Sequence, residues 1–262
     1  MASKTGKPEG GFMETVKTIV YALLIAGVFR TLFFQPFWIP SGSMKETLLI
    51  GDFLFVNKMA YGYSRFSCPF SLCPIPDRLF GSEPERGDIA VFRHPVSGAD
   101  FIKRVIGMPG DRVQMRAGVL YLNDEAVPQT PEGIFTETFA PQGPIGQYPR
   151  CSNRPVGEGA VCEKERLRET LPSGRSYLTL NIDESFADNT PVYTVPEGHF
   201  FFVGDNRDNS QDSRAPRSVG GVGMVPFDHL IGRARHVVFS SAGSSMLYFW
   251  TWRGERFFER LE

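Results

Sequence analysis

The sequence predicts a mainly β protein with one membrane helix at its N-terminus. The chain of 262 residues contains 20 prolines, 27 glycines and 23 phenylalanines. It has few long helical patterns, and this composition favours short strands joined by turns over a helical bundle. One apolar segment precedes the β-like body. We therefore expect antiparallel sheets, a β-rich insertion and a single transmembrane helix.

Residues 16–35 are the predicted membrane anchor. The stretch from Val16 to Phe34 is apolar except at four positions, but its uninterrupted part, Ile19–Phe29, is too short to span a bilayer alone. About 20 helical residues are needed to cross the hydrocarbon core. Arg30 must therefore lie near an interface, where its long stem can reach the headgroups. The nearby prolines, Pro36 and Pro40, are expected to end the helix.

Residues 1–15 form a polar tail, and its charges indicate how the anchor is oriented. Lys4 and Lys7, together with Lys17, favour a cytoplasmic N-terminus and an exported body. A cleavable secretory signal also has a basic start and an apolar middle, but no Ala-x-Ala site follows at the right distance. A buried core helix is the other alternative, and the abrupt apolar segment ahead of a β-like body favours an anchor over it.

Two groups of polar motif residues are separated by a long segment rich in glycine and proline. This arrangement predicts one domain formed by residues 36–112 and 199–262, with residues 113–198 inserted as a cap subdomain. The predicted strands are Phe53–Val56, Asp88–Phe92, Phe101–Ile106, Val119–Leu122, Tyr193–Val195 and Phe200–Val203.

The charge and the spacing of the histidines argue against nucleic-acid binding and metal binding. The net charge of -1 and the pI of about 6.5 provide no basic field for nucleic acid, and no nucleic-acid-binding motif is present. Cys68 and Cys73 form one local pair and Cys151 and Cys162 another, and the sequence leaves open whether they form disulfides or remain thiols. The four histidines are scattered, so we expect no metal and no cofactor.

Three segments carry the candidate chemistry. They are Ser41-Gly42-Ser43 directly after the anchor, Lys103 in an apolar run, and the polar loop 204–214. Each segment also has an ordinary interpretation. Ser41-Gly42-Ser43 could be a plain turn, Lys103 could reach solvent, and residues 204–214 could form a loop whose side chains bond its own backbone. Serine becomes a nucleophile only when a base removes its proton. Lysine, with a reference pKa of ~10.4, becomes that base only if burial disfavours its ammonium form by ~3 to 5 kcal/mol.

Taken together and in this order behind an anchor, the three segments resemble bacterial type I signal peptidases, a family of Ser-Lys proteases. The resemblance covers most of the chain outside residues 113–198. It implies a membrane-bound serine endopeptidase that removes N-terminal signal peptides from exported preproteins by a Ser-Lys dyad, after small residues of the Ala-x-Ala type. It also implies a signal-peptidase-like catalytic domain outside the bacterial plasma membrane, with preproteins and the lipid bilayer as partners.

The resemblance also assigns roles to individual residues. Ser43 matches the nucleophile, Lys103 the general base, Ser41 the hydroxyl that helps to form the oxyanion hole, and Ser210 the hydroxyl that orients the lysine. Gly42 permits the tight backbone path that lets Ser41 and the Ser43 N–H converge. Four charged residues match positions that shape the site through ionic contacts: Arg104, Asp205, Asp212 and Arg214. Five residues match the lining of a shallow substrate groove: Phe37, Ile39, Met44, Val91 and Ile102.

One position departs from the family pattern. Glu46 stands where proline commonly precedes the threonine, Thr47 in this chain, so we expect a small effect on loop order and intact activity. The alternative function is that of a soluble Ser-Lys autoprotease of the repressor-cleaving type, against which the apolar N-terminus argues. A membrane-tethered β domain that binds partners without catalysis is the alternative from another class.

Overall fold

The structure is a computed structural model that describes residues 11–68, 71 and 73–261. It contains one long helix, α1 (Gly11–Leu32). The strands among the described residues are β1 (Phe34–Trp38), β2 (Asp52–Asn57), β3 (Ile89–Arg93), β4 (Asp100–Gly107), β5 (Arg112–Arg116), β6 (Val119–Leu122), β7 (Glu125–Ala126), β8 (Gln129–Thr138), β9 (Val161–Thr170), β10 (Ser176–Asn181), β11 (Tyr193–Thr194), β12 (His199–Val203), β13 (Val225–Pro226) and β14 (Leu230–Ser240).

Helix α1 is long and apolar enough to cross a membrane, and none of its residues is buried against the body. It ends at Leu32, and the chain enters β1 at Phe34, so the predicted anchor 16–35 extends into the first strand. Pro36 lies inside β1 and not at the end of the helix. This position is compatible with proline because β1 is an edge strand that pairs only with β2. Lys4 and Lys7 lie outside the described residues.

The main sheet has seven strands in the order β1-β2-β14-β3-β4-β12-β13, and every pairing in it is antiparallel. The prediction of a mainly β, antiparallel fold is therefore confirmed. The register of β3 with β4 places Ala90 opposite Lys103 and Ile89 opposite Arg104. Since side chains alternate along a strand, Lys103 lies on the same face of β4 as Phe101 and Val105.

Residues 112–194 form two smaller sheets beside the main one. One has the order β10-β9-β8 and the other β11-β5-β6-β7. The second sheet shares a hydrophobic cluster with the main sheet, in which Val113 and Leu120 pack with Ile106 and Phe201. This shared cluster attaches the predicted cap subdomain 113–198 firmly to the domain that carries the candidate chemistry.

Both local cysteine pairs are bonded. Cys68 is joined to Cys73 and Cys151 to Cys162, and the described residues contain no free cysteine. The second disulfide closes the loop that precedes β9, and both of its cysteines are buried. The question that the sequence left open is thus answered in favour of two disulfides.

Candidate active site

Ser43 lies in a single 3₁₀ turn, Gly42–Met44, between β1 and β2. Two bonds from Asn206 hold this turn: its N–H donates to Ser43 O at 3.1 Å and its Nδ2 donates to Gly42 O at 2.8 Å. A Cβ on Gly42 would lie 3.3 Å from Lys45 Cε, tighter than ordinary packing. The glycine therefore lets the Lys45 side chain pass close beneath the turn.

Lys103 projects from β4 toward this turn. Its Nζ lies 2.7 Å from Ser43 Oγ and donates to the carbonyl oxygen of Ile102 at 2.8 Å. The Lys103 residue is only 3% exposed, and its Nζ lies 5.3 Å from the centre of the Phe101 ring. A serine hydroxyl and a buried amine thus meet at hydrogen-bonding distance, which is the geometry that a nucleophile and its base require.

Burial changes the acid–base character of this lysine. It lowers the pKa of Lys103 to about 8, although the carboxylates of Asp212 and Asp205 oppose the shift. The cause is desolvation, since an ammonium ion loses its hydration when it leaves water. A neutral amine is consequently accessible near neutral pH, and only the neutral amine can accept a proton from Ser43.

The two other predicted hydroxyls lie beside this pair. Ser41 is exposed, and its Oγ lies 3.5 Å from Ser43 Oγ. Ser210 lines the same cavity as Lys103, but among the described residues no hydrogen bond joins its Oγ to Lys103 Nζ. Gly204, which sequence reasoning did not single out, allows the approach of Ser210. A Cβ on Gly204 would lie 2.2 Å from Ser210 Oγ and 2.6 Å from Ser43 O.

The four predicted ionic residues form two buried pairs. Arg104 Nε and Nη2 donate to the two carboxylate oxygens of Asp205 at 2.9 and 2.7 Å, and Thr47 Oγ1 donates to Asp205 Oδ2 at 2.5 Å. Arg214 binds Asp212 in the same bidentate way, with both distances at 2.9 Å. All four charged side chains are at most 1% exposed. Bidentate pairs fix geometry as well as charge. The Arg104–Asp205 pair therefore holds the 204–214 loop against β4, and the Arg214–Asp212 pair stabilises the loop internally.

A third buried pair was missed by sequence reasoning. Arg207 donates to Glu169 on β9, and Tyr177 Oη donates to the same carboxylate at 2.7 Å. The guanidinium carbon of Arg104 lies 4.1 Å from the centre of the Tyr177 ring. These contacts connect residues 113–198 to the 204–214 loop and to β4. The sequence offers no local signal for them, because Glu169 and Arg207 are far apart along the chain.

A cavity of about 730 Å³ lies beside Ser43. Phe37, Ile39, Val91 and Ile102 line it together with Ser41, Ser43 and Lys103. Met44 differs from the prediction, because it is fully buried in the hydrophobic cluster with Leu48 and Leu54. Successive residues of a 3₁₀ turn point about 120° apart, so Met44 turns inward when Ser43 faces the cavity.

No group of three or more His, Cys, Asp or Glu residues within the described ranges is placed to hold a metal ion.

Glu46 contacts the cap subdomain. Its carboxylate lies 3.5 Å from Arg166 Nη1, and burial raises its pKa while Arg166 opposes the shift. The preceding residue, Lys45, is also buried, and its Nζ donates to Glu137 at 2.5 Å and to Gln142 at 2.6 Å. The turn that carries Ser43 is thus held from below by residues of the cap subdomain.

Comparison with known proteins shows which family the chain resembles. The family described as signal peptidase, peptidase S26, matches residues 12–239. A signal peptidase I of Rickettsia typhi is 38% identical over 87% of this chain and 82% of its own, and that of Rickettsia prowazekii is 37% identical over 92% and 83%. A solved signal peptidase I from Enterococcus faecalis is 25% identical and covers 58% of this chain and 97% of its own, with a TM-score of 0.31.

The family match and the two Rickettsia relatives define the class of the protein as a serine protease. More particularly, the chain belongs to the signal peptidase family, peptidase S26. The family acts on signal-peptide-bearing substrates and is membrane-associated, and the apolar helix α1 is consistent with that association.

Proposed function

We propose that the protein removes N-terminal signal peptides from exported preproteins by a Ser-Lys dyad, and that it cuts after small residues of the Ala-x-Ala type. The observation that carries this proposal is the 2.7 Å distance between Ser43 Oγ and the buried Nζ of Lys103. The pKa of Lys103, lowered by burial to about 8, supports the assignment of the base. The family match supports the class of substrate.

Acylation begins with the neutral Lys103 amine. It accepts the proton of Ser43 Oγ as this oxygen attacks the scissile carbonyl carbon. Negative charge then develops on the carbonyl oxygen, where the Ser43 N–H and the Ser41 hydroxyl act as donors. Loss of one such donor typically costs ~2.7 to 4 kcal/mol of transition-state stabilisation. The Lys103 ammonium next gives its proton to the leaving amine, so the new N-terminus departs as the acyl-enzyme forms.

Deacylation uses the same base. Lys103, neutral again, accepts a proton from a water molecule, and the resulting nucleophile attacks the ester carbonyl carbon. The proton then returns to Ser43 Oγ as the signal peptide leaves with a free carboxylate. In this proposal the buried pairs Arg104–Asp205 and Arg214–Asp212 act by position, since they hold the loop that carries Ser210 beside the lysine. Ser210 Oγ has no hydrogen-bond partner among the described residues and lines the same cavity as Lys103, and we propose that it orients the neutral amine by rotating toward Nζ.

Selectivity for small residues follows from the apolar part of the cavity. An extended peptide can align with the edge strand β1 near Phe37 and Ile39, while alternate side chains enter pockets beside Val91 and Ile102. Pockets of limited depth reject large side chains sterically. Met44 does not line these pockets but belongs to the buried cluster on which the residues that line them pack.

We further propose that α1 spans the plasma membrane once, with its N-terminus in the cytoplasm and the catalytic domain outside. The exposed apolar surface of α1 and the lysines at its N-terminal side support this orientation. Two disulfides fit an extracytoplasmic domain. Tethering enzyme and preprotein in one bilayer raises their effective concentration.

The decisive experiment uses the full chain in detergent or vesicles with a preprotein that carries alanines at the first and third positions before the cut. We expect cleavage after the second alanine, identified by N-terminal sequencing of the product, and none with Ser43→Ala. A preprotein with phenylalanine directly before the cut should remain intact. Cleavage by Ser43→Ala protein at the wild-type rate would refute the assignment of the nucleophile.

A further inference from the structure

The cavity that contains Ser43 has two chemically different halves. One half is formed by the main sheet and is apolar, with Phe37, Ile39, Val91 and Ile102. The other half lies beyond the nucleophile and is formed by three loops that contribute Gln147, Arg150, Phe186, Asn209 and Gln211. Under the proposed function, the apolar half takes the small residues before the cut. An extended peptide that passes Ser43 must therefore continue into the second half.

The three loops of this second half are fixed to one another through Asp208. The Asp208 backbone oxygen accepts a hydrogen bond from Arg150 Nη1. Its carboxylate Oδ2 accepts the N–H groups of Ile182 and Asp183 at 2.7 and 3.3 Å. Two of the loops belong to the cap subdomain, and the third is the 204–214 loop of the catalytic domain. The wall is therefore built before any substrate arrives.

Phe186 is an exposed aromatic side chain on a turn that is closed by hydrogen bonds. It is 73% exposed, whereas its neighbours Ala187 and Asp188 are buried. The turn is closed by reciprocal bonds, since Ser185 N donates to Asp188 Oδ2 at 2.6 Å and Ala187 N donates to Ser185 Oγ at 3.2 Å. A large apolar ring held in solvent beside a cavity offers contact area at little cost in conformational entropy.

Arg150 supplies the charge of this half. It is exposed and lines the cavity, whereas Asp208, the other charged residue there, is 8% exposed and its carboxylate accepts two backbone N–H groups. Two further charged residues line the cavity outside this half, and both lie on β4. Lys103 lies at the junction of the two halves, and Asp100 lies in the half formed by the main sheet. A peptide that enters the second half therefore meets a guanidinium as its accessible charge, and guanidinium groups favour carboxylates.

We propose that Gln147, Arg150 and Phe186 of the cap subdomain bind the first residues of the mature protein after the cut, and that Arg150 makes the enzyme prefer acidic over basic residues there. This inference rests on the proposed function of the same site. It assigns the cap subdomain a part in substrate choice. An extended chain advances ~3.3 Å per residue, so the first three residues after the cut cover about 10 Å of this wall.

The test uses three preproteins that differ only at the second and third positions after the cut, which are Glu-Glu, Gln-Gln or Lys-Lys. The ratio of kcat/KM values for the Glu-Glu and Lys-Lys substrates is measured for each enzyme variant, so that any loss of folded protein cancels. We expect the wild type to favour Glu-Glu about two- to fivefold, the size of an exposed ion pair. Arg150→Gln should remove the preference, Arg150→Glu should reverse it and Arg150→Lys should retain it.

Arg154→Glu is the matched control, because Arg154 is an exposed arginine in the same loop that does not line the cavity. It should keep the wild-type ratio. An equal change with Arg154→Glu would show a general field effect and overturn the role of Arg150. An unchanged ratio with Arg150→Glu, in enzyme that cleaves all three substrates, would overturn this inference and leave the proposed function intact. Failure of the wild type to cleave any of them would overturn both.

Discussion

Two buried lysines, Lys103 and Lys58, have the same perturbed acidity but different surroundings. Lys103 is 3% exposed and Lys58 is 1% exposed, and burial lowers the pKa of each to about 8. Lys103 Nζ lies beside the hydroxyl of Ser43, at the wall of a large cavity. Lys58 Nζ donates instead to the backbone oxygen of Ser67.

The difference shows that a lowered pKa is necessary for a lysine base but is not sufficient. A carbonyl oxygen has no proton to give, so Lys58 can only act as a donor there. Lys103 faces a group that becomes a nucleophile when it loses its proton. A third buried lysine, Lys45, is paired with Glu137, which stabilises its charged form. These three buried lysines thus have three different roles, and the atom that lies next to each Nζ determines its role.

The largest expected effect separates the two lysines of equal pKa. Lys103→Met should reduce kcat/KM by about 10⁴-fold, the scale seen when a member of a catalytic unit is removed. Lys58→Met should leave kcat/KM close to the wild-type value, because Lys58 binds the backbone oxygen of Ser67 and does not line the cavity that contains Ser43. Cleavage of the alanine-bearing preprotein measures both. If the two variants lost activity equally while both remained folded, the distinction between the lysines would be wrong.

The next largest effect concerns the paired lysine. Glu137→Gln should destabilise the protein by ~3 to 5 kcal/mol, because it leaves the charges of Lys45 and Lys164 buried without their carboxylate. Chemical denaturation gives the free energy of unfolding. Glu132→Gln, at an exposed pair with Arg168, is the control and should have little effect. Equal stabilities of the two variants would show that the buried cluster around Lys45 is not held by its charge.

Removing Lys103, the proposed base, should stabilise the fold. The folded pKa of Lys103 is about 8 and its ordinary value is 10.5, so below pH 8 the folded state must carry a buried charge. Lys103→Met removes that cost, which is ~3 kcal/mol at ~1.36 kcal/mol per pKa unit. The gain relative to wild type should be full below pH 8 and should disappear as the pH approaches 10.5. A constant difference in the free energy of unfolding across that range would contradict the assigned acidity.

The same pKa predicts the dependence of activity on pH. The base must be neutral, so kcat/KM should rise about tenfold per pH unit below pH 8 and level off above it. Lys58→Met should show the same profile as the wild type, because the second lysine of equal pKa takes no part in catalysis. If Lys58→Met shifted the midpoint of the pH profile, the titration would belong to Lys58 and not to Lys103, and the prediction would be wrong.

How much the sequence could predict depended on the distance over which each feature is encoded. Ser43, Lys103 and the 204–214 loop lie in compact local patterns, and the structure brings these three segments together. By contrast β14, the longest strand of the main sheet, was not predicted. Its sequence, Leu230–Ser240, places Arg233, Arg235 and His236 among the apolar residues, and its register with β2 is irregular between Ala234 and Phe239. These features obscure the alternation that identifies a strand.

The partners of the buried charges could not be predicted from the sequence either. Glu137 and Glu169 read as ordinary residues of the insertion, yet they accept hydrogen bonds from Lys45 and Arg207, which precede and follow the insertion. Such pairs form only when the two smaller sheets pack against the main sheet. Met44 was assigned to the groove through family resemblance, but the pitch of its 3₁₀ turn directs it into the core.

The smallest expected effect concerns Glu46, the residue beside the paired lysine. Burial raises its pKa, so its charged form is disfavoured in the folded state, and Arg166 at 3.5 Å compensates only in part. Glu46→Gln should therefore change the free energy of unfolding at pH 7 by less than ~1 kcal/mol. A group with a raised pKa contributes most at low pH, so any advantage of the wild type should appear at acidic pH and fade as the pH rises through the folded pKa.

Activity tests whether this position matters for the turn that carries Ser43. We expect kcat/KM of Glu46→Gln and of Glu46→Pro to stay within about threefold of wild type, because neither substitution touches Ser43, Lys103 or the contacts between them. Glu46→Pro restores the residue that is common at this position in the family. A large gain in activity with Glu46→Pro would show that the glutamate loosens the turn. A large loss with Glu46→Gln would show that its ion pair with Arg166, and not the buried cluster around Lys45, holds the turn in place.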